Sequence, residues 1–159
     1  NFVTEARVDE APLEHALDLA VVPDHDDGPI TITIDYLIPS DDRKQFGSLM
    51  REVQAACRRN GAFQCSLAEN LDQSGLFRLE YHVSTWAEYL RLHLRMTVDE
   101  TKVYKEAGDR HAGDSEPIIR HFRSTQRFIQ LPGFGFSGRT FVNTSKMPRP
   151  KMLAPASGA

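Results

Sequence analysis

The chain has 159 residues, 40% of them hydrophobic, and a formal net charge of −3, enough for a single modest core. No stretch reaches the roughly 18 apolar residues of a membrane span, and the N-terminus lacks the basic start and apolar run of a signal peptide. Two cysteines, Cys57 and Cys65, make no disulfide framework, so the expectation is a soluble chain from a reducing compartment.

The charge is unevenly spread. Residues 1–29 hold eight Asp/Glu against one Arg, and residues 124–159 hold five Lys/Arg and no acid. Both ends read as solvated, and the basic tail by itself does not point to nucleic acid as a partner. The first residue is Asn1 rather than Met, which leads to the expectation of a fragment cut from a longer polypeptide.

Residues 1–29 contain "LEHALDLAVV" and then "PDHDDGP", whose Pro, Asp and Gly interrupt any regular element; this region reads as an acidic linker or arm. "ITITIDYLI" follows, with Ile30, Ile32, Ile34, Tyr36 and Ile38 alternating against Thr31, Thr33 and Asp35, the period of a half-buried strand. From Ser40, an expected N-cap, the apolar positions Phe46, Leu49, Met50, Val53, Ala56 and Cys57 keep helical spacing, and Asn60-Gly61 ends the run.

"AFQCSLAE" and "LFRLEYHV", joined by the turn residues of "NLDQSG", predict a hairpin over residues 62–83. A second helix opens at Thr85 with Glu88 three residues on, and Thr97 with Glu100 repeats the capping pattern, predicting a break and restart there. "PIIRHFR" reads as a last short strand. The order β, α, β, β, α, β predicts a ferredoxin-like α+β domain over residues 30–123, a four-stranded antiparallel sheet with its helices on one face. Residues 124–159 are left as a basic tail containing Gly/Phe and Pro. The other sheet face would carry Thr31, Thr33, Asp35, Gln64, Ser66, Arg78, Glu80 and His82, too polar for a dry core, so water, another domain or a partner subunit must cover it.

Trp86 and His93 are the candidate ligand-binding residues on the second helix. Seven residues at 3.6 per turn put them about 20° apart around the axis. They serve either as core anchor and boundary side chain, or as an indole and an imidazole lining a cleft between helix and sheet. His82, His93 and His121 come from three elements without metal-ligand spacing, so no metal is expected. "GFGFSG" at 133–138 matches a dinucleotide fingerprint only formally, because no strand precedes it and no phosphate-facing helix follows. Neither cysteine has an evident activator in the sequence, and no catalytic residue or cofactor is assigned.

The stretch from "GPITITIDYLIPSDDRKQ" through "RRNGA", "STWAE" and "HLRMT" to "PIIRHF" resembles the soluble C-terminal domain of the major facilitator superfamily exporters called transmembrane secretion effectors, relatives of the enterobactin exporter. The resemblance covers residues 17–123. It implies a non-enzymatic accessory domain of an efflux transporter, on the cytoplasmic side of the membrane, whose partner is the transmembrane body of the same polypeptide. That domain is in turn similar to the antibiotic-biosynthesis monooxygenase fold, whose units often pair into a dimeric α+β barrel, which implies a homodimer. In this wider group a helix-opening Trp and a later His, with an Asn on the first strand, sometimes serve cofactor-free oxygenation or haem handling. Trp86 and His93 resemble the first two. Asp35 stands nearest to the third, and an ionised carboxylate accepts hydrogen bonds but does not donate them as an amide does. A small monooxygenase or haem-binding protein is therefore the alternative, and a module sensing a flat metabolite without turnover is a third reading.

Overall fold

The computed structural model describes residues 17–125. Its elements are β1 (Ile30–Leu37), a 3-10 turn (Ser40–Asp42), α1 (Arg43–Arg59), β2 (Phe63–Glu69), β3 (Leu76–Val83), α2 (Trp86–Arg95), α3 (Val98–Asp109) and β4 (Ile118–Arg123). The sheet runs β2-β3-β1-β4 with every neighbouring pair antiparallel. This is the ferredoxin-like α+β arrangement that the element order implies.

One sheet face is apolar because the alternation in β1 and β3 puts Ile30, Ile32, Ile34 and Tyr36 beside Leu79, Tyr81 and Val83. Against it pack Phe46, Met50 and Val53 of α1 and Trp86, Tyr89 and Leu90 of α2, all buried. Removing apolar surface from water on this scale is the main term holding such a domain together.

Local signals set the element ends. Gly61 has φ +108, a conformation that favours glycine, and turns the chain from α1 into β2. Ser40 does not cap α1 with its side chain: it opens the 3-10 turn, and Asp42 at the helix start makes no capping bond either. Thr85 does cap α2, accepting from the Glu88 amide, and Thr97 with Glu100 forms a complete capping box on α3. The predicted break is therefore present, with Met96 in extended backbone between the two helices.

Glu100 does more than cap. Its carboxylate accepts from the Thr97 amide at 3.0 Å, from Arg59 at 2.8 and 2.9 Å, and from the Asn60 amide at 3.0 Å. It thereby ties the end of α1 to the start of α3. The backbone bond at Thr97, then the donors of Arg59 and Asn60, hold its pKa down at about 2.

The acidic region is partly docked. Leu17 and Leu19 pack against the core, the carbonyls of His25 and Asp27 accept from Ala87 and Trp86 at the start of α2, and Asp27 pairs with Arg123. Gly28 passes so close to the Ser84 carbonyl that any side chain there would collide with it. The tail segment "GFGFSG" and the termini at residues 1–16 and 146–159, which the sequence suggests are protease-sensitive, lie outside the described residues.

Candidate functional site

The second helix places its aromatic stripe as its spacing predicts. Tyr89 lies between the two candidates, its ring centroid 5.1 Å from Trp86 and 4.8 Å from His93, the latter edge-on. Trp86 is 0% exposed. β4 adds a residue that periodicity did not single out: His121, opposite Ile32 on the core face, sits 2.7 Å from the Tyr89 hydroxyl and edge-on to Trp86. Burial lowers the pKa of both His93 and His121, and their mutual repulsion lowers that of His93 further. Both imidazoles are thus held neutral in an apolar layer. His82, by contrast, lies on the opposite sheet face, bonded to Thr31 and stacked on Phe63.

Asp35 is also on that opposite face. It is bound by Arg78 at 2.7 and 2.9 Å and by Arg120 at 2.8 Å. Donation by Arg78, its charge, and the similar contribution of Arg120 hold the carboxyl below its ordinary range against the opposing effect of burial. The sheet therefore stands between Asp35 and the Trp86–His93 stripe, and the three do not converge. A side chain on a strand faces one side only, and Asp35 is odd-phased to Ile34 and Tyr36.

Three hollows surround these groups. One of about 210 Å³ is lined by Leu19, Val21, Pro23, Ile30, Trp86 and His121, among others. A shallow one of about 210 Å³ on the open sheet face contains Asp35 and Arg78. The largest of the three, about 580 Å³, lies between α3 and the β1–β4 edge, bounded by Ile34, Tyr36, Tyr104, Gly108, Pro117 and Ile119. None of the three includes His93. Among the described residues no group of three or more His, Cys, Asp or Glu could hold a metal ion, and no helix is long and apolar enough to cross a membrane.

The open face is less polar than its alternation predicts. β2 carries a bulge: Phe63 pairs with His82 and Ser66 with Glu80, so two residues, Gln64 and Cys65, oppose Tyr81 alone. Gln64 takes φ 50 and the phase slips by one. Phe63 rather than Gln64 consequently joins the open face, 42% exposed, with Phe122 and Ile118 of β4 at 51% and 49%. At its centre the Thr33 hydroxyl, flanked in register by Glu80 and Arg120, is buried and has no hydrogen-bond partner among the described residues.

The bulge also turns Cys65 inward, into the same buried cluster as Cys57 at the end of α1. Eight residues of sequence separation, a turn and a bulge hide this juxtaposition from any spacing rule.

Several solved structures share this architecture. A candidate antibiotic biosynthesis monooxygenase from Caulobacter crescentus CB15 superposes with TM-score 0.54 and 14% identity, covering 64% of this chain and 94% of its own. SnoaB, a cofactor-independent oxygenase from Streptomyces nogalater, gives TM-score 0.53 at 11% identity over 64% of this chain and 97% of its own. Rv0793 from Mycobacterium tuberculosis gives 0.53 at 12%, over 64% and 99%. At such identities the likeness establishes the fold alone: a ferredoxin-like domain of the antibiotic-biosynthesis-monooxygenase type. The family comes from the sequence, because the profile described as "transmembrane secretion effector" matches residues 3–128. The chain belongs to the transmembrane secretion effector family. No curated protein matches it significantly.

Proposed function

We propose that this chain is a non-enzymatic accessory domain of an efflux transporter, lying on the cytoplasmic side of the membrane, joined to the transmembrane body of the same polypeptide and self-associating through its open sheet face. The family match across residues 3–128 carries this reading. Two features of the site agree with it. The indole of Trp86 is spent on core packing, and the carboxylate that would complete an oxygenase-like trio is neutralised by two arginines on the far side of the sheet. The open face, with Phe63, Ile118 and Phe122 around an ion-paired centre, has the mixed apolar and polar make-up of a wet protein interface.

The test is where the domain resides in its host. An antiserum against residues 30–123 should detect a band in the membrane pellet well above 17.9 kDa, the mass of this chain. Recovery of a 17.9 kDa species from the soluble fraction alone would overturn the proposal. The rival reading, a small oxygenase or haem-binding protein, draws on the fold neighbours and on the hollow of about 210 Å³ beside Trp86. Oxygen-dependent turnover of anthrone-type phenols, or a haem complex, abolished in both Trp86→Phe and His93→Ala, would favour it instead.

A further inference from the structure

We propose that the largest hollow, about 580 Å³ between α3 and the β1–β4 edge, binds a lipophilic organic cation, with the Glu116 carboxylate at its mouth as counter-ion and the Tyr36 phenol on its floor as hydrogen-bond acceptor. Nothing in this depends on the transporter reading. The hollow has the size of small-molecule sites, roughly 300–1,000 Å³, and neither Trp86, His93 nor His121 lines it. Its walls are apolar and aromatic: Ile34, Pro117 and Ile119 with Tyr36 and Tyr104. Tyr36 is 2% exposed, its ring is held against Phe46 with centroids 5.2 Å apart, and its hydroxyl makes no hydrogen bond among the described residues. Burial raises its pKa and keeps the phenol protonated, so its oxygen is a neutral acceptor for an ammonium N–H. Tyr104 shares its hydroxyl with Cys57 Sγ, which leaves its ring to attract a cation through the quadrupole.

Charge selects the sign of the guest. Every Lys and Arg in residues 98–117, the segment that forms α3 and the loop after it, is matched by a carboxylate: Lys102 by Asp99 at 3.6 Å, Lys105 by Asp109 at 3.0 Å and Arg110 by Asp42 at 3.1 Å. Glu100 is in turn taken by Arg59. Glu106, Asp114 and Glu116 are left over, with no ion pair among the described residues. Of these three, Glu116 lines the hollow and is exposed to solvent. A cavity with apolar walls and one uncompensated carboxylate at its rim attracts cations and repels anions, and the low-dielectric walls strengthen that preference.

Gly108 gives the guest room. It lines the hollow near the end of α3, and a Cβ built on it would meet no atom within 4 Å. Neither crowding nor a left-handed backbone requires glycine there, and glycine weakens a helix. The missing side chain leaves space in the hollow instead.

The experiment titrates the full 159-residue chain into rhodamine 6G, a ring-sized cation carrying N–H groups, and reads fluorescence anisotropy, with the anionic dye fluorescein in a parallel titration. The expected result is saturable binding of rhodamine 6G and none of fluorescein. Glu116→Gln should weaken it about fivefold or more, and Gly108→Phe, which fills the hollow, should abolish it with the circular dichroism spectrum and melting curve unchanged. Asp72→Asn, an exposed charge in the turn between β2 and β3, should leave it as it is. Should Gly108→Phe fail to fold, Glu116→Gln still decides, because that side chain is exposed and unpaired. Absence of saturable binding, fluorescein bound as tightly, unchanged affinity in Glu116→Gln, or an equal loss in Asp72→Asn would each overturn the proposal.

Discussion

Trp86 and His93 present the same helical signature whether they are reactive or structural, and their surroundings separate the two roles. An indole with 0% exposure contributes through the area it removes from water and its tilted contact with Tyr89. Trp86→Ala should therefore lower the unfolding free energy by about 3–5 kcal/mol, read from urea denaturation; a loss under about 1 kcal/mol would mean that the pocket around it is solvated. His93 and His121 bear on pH. Both have folded-state pKa values depressed below 6.5, chiefly by burial, so the unfolded chain binds more protons than the folded one once the pH drops under that value. Stability is full above pH 6.5 and falls as the pH moves from there through the folded-state values. Urea midpoints should be lower at pH 5.5 than at 7.5, and His93→Phe with His121→Phe should flatten that difference between those two pH values.

At the scale of elements, helix starts were legible where a side chain alone makes the bond and illegible where the chain takes another route. The Thr-x-x-Glu pattern located α3 because both reciprocal bonds are local. Ser40 has the right identity, yet the chain enters α1 through a 3-10 turn that satisfies backbone groups without its hydroxyl. Thr97→Ala should destabilise the domain by about 0.5–2 kcal/mol, toward the upper end because Glu100 also holds Arg59 and Asn60; thermal melts by circular dichroism would measure it. The bulge in β2 was not legible either. Strict alternation assigned Gln64 to the open face, but one extra residue in an antiparallel ladder reverses the phase and exposes Phe63.

For the molecule as a whole, the open sheet face is the surface in question. Phe122 and Ile118 are about half exposed on the edge strand β4, and Phe63 lies on the opposite edge, β2. If two copies pair through this face, sedimentation equilibrium should detect a dimer, and Phe122→Glu should weaken it at least tenfold, about 1.4 kcal/mol, by placing a charge in the contact. A chain that remains monomeric at the highest attainable concentration would exclude the pairing.

The sequence by itself determined the order of elements, the apolar faces and the helix break, since each follows from periodicity and from bonds spanning three or four residues. The tertiary structure alone decided three things: that Asp35 is separated by the sheet from Trp86 and His93, that His121 joins Tyr89 and Trp86, and that Cys65 turns into the core cluster that also holds Cys57. Those depend on strand register, on a bulge and on which edge β4 adopts, and these are set by contacts between residues far apart in the chain, which no local pattern encodes.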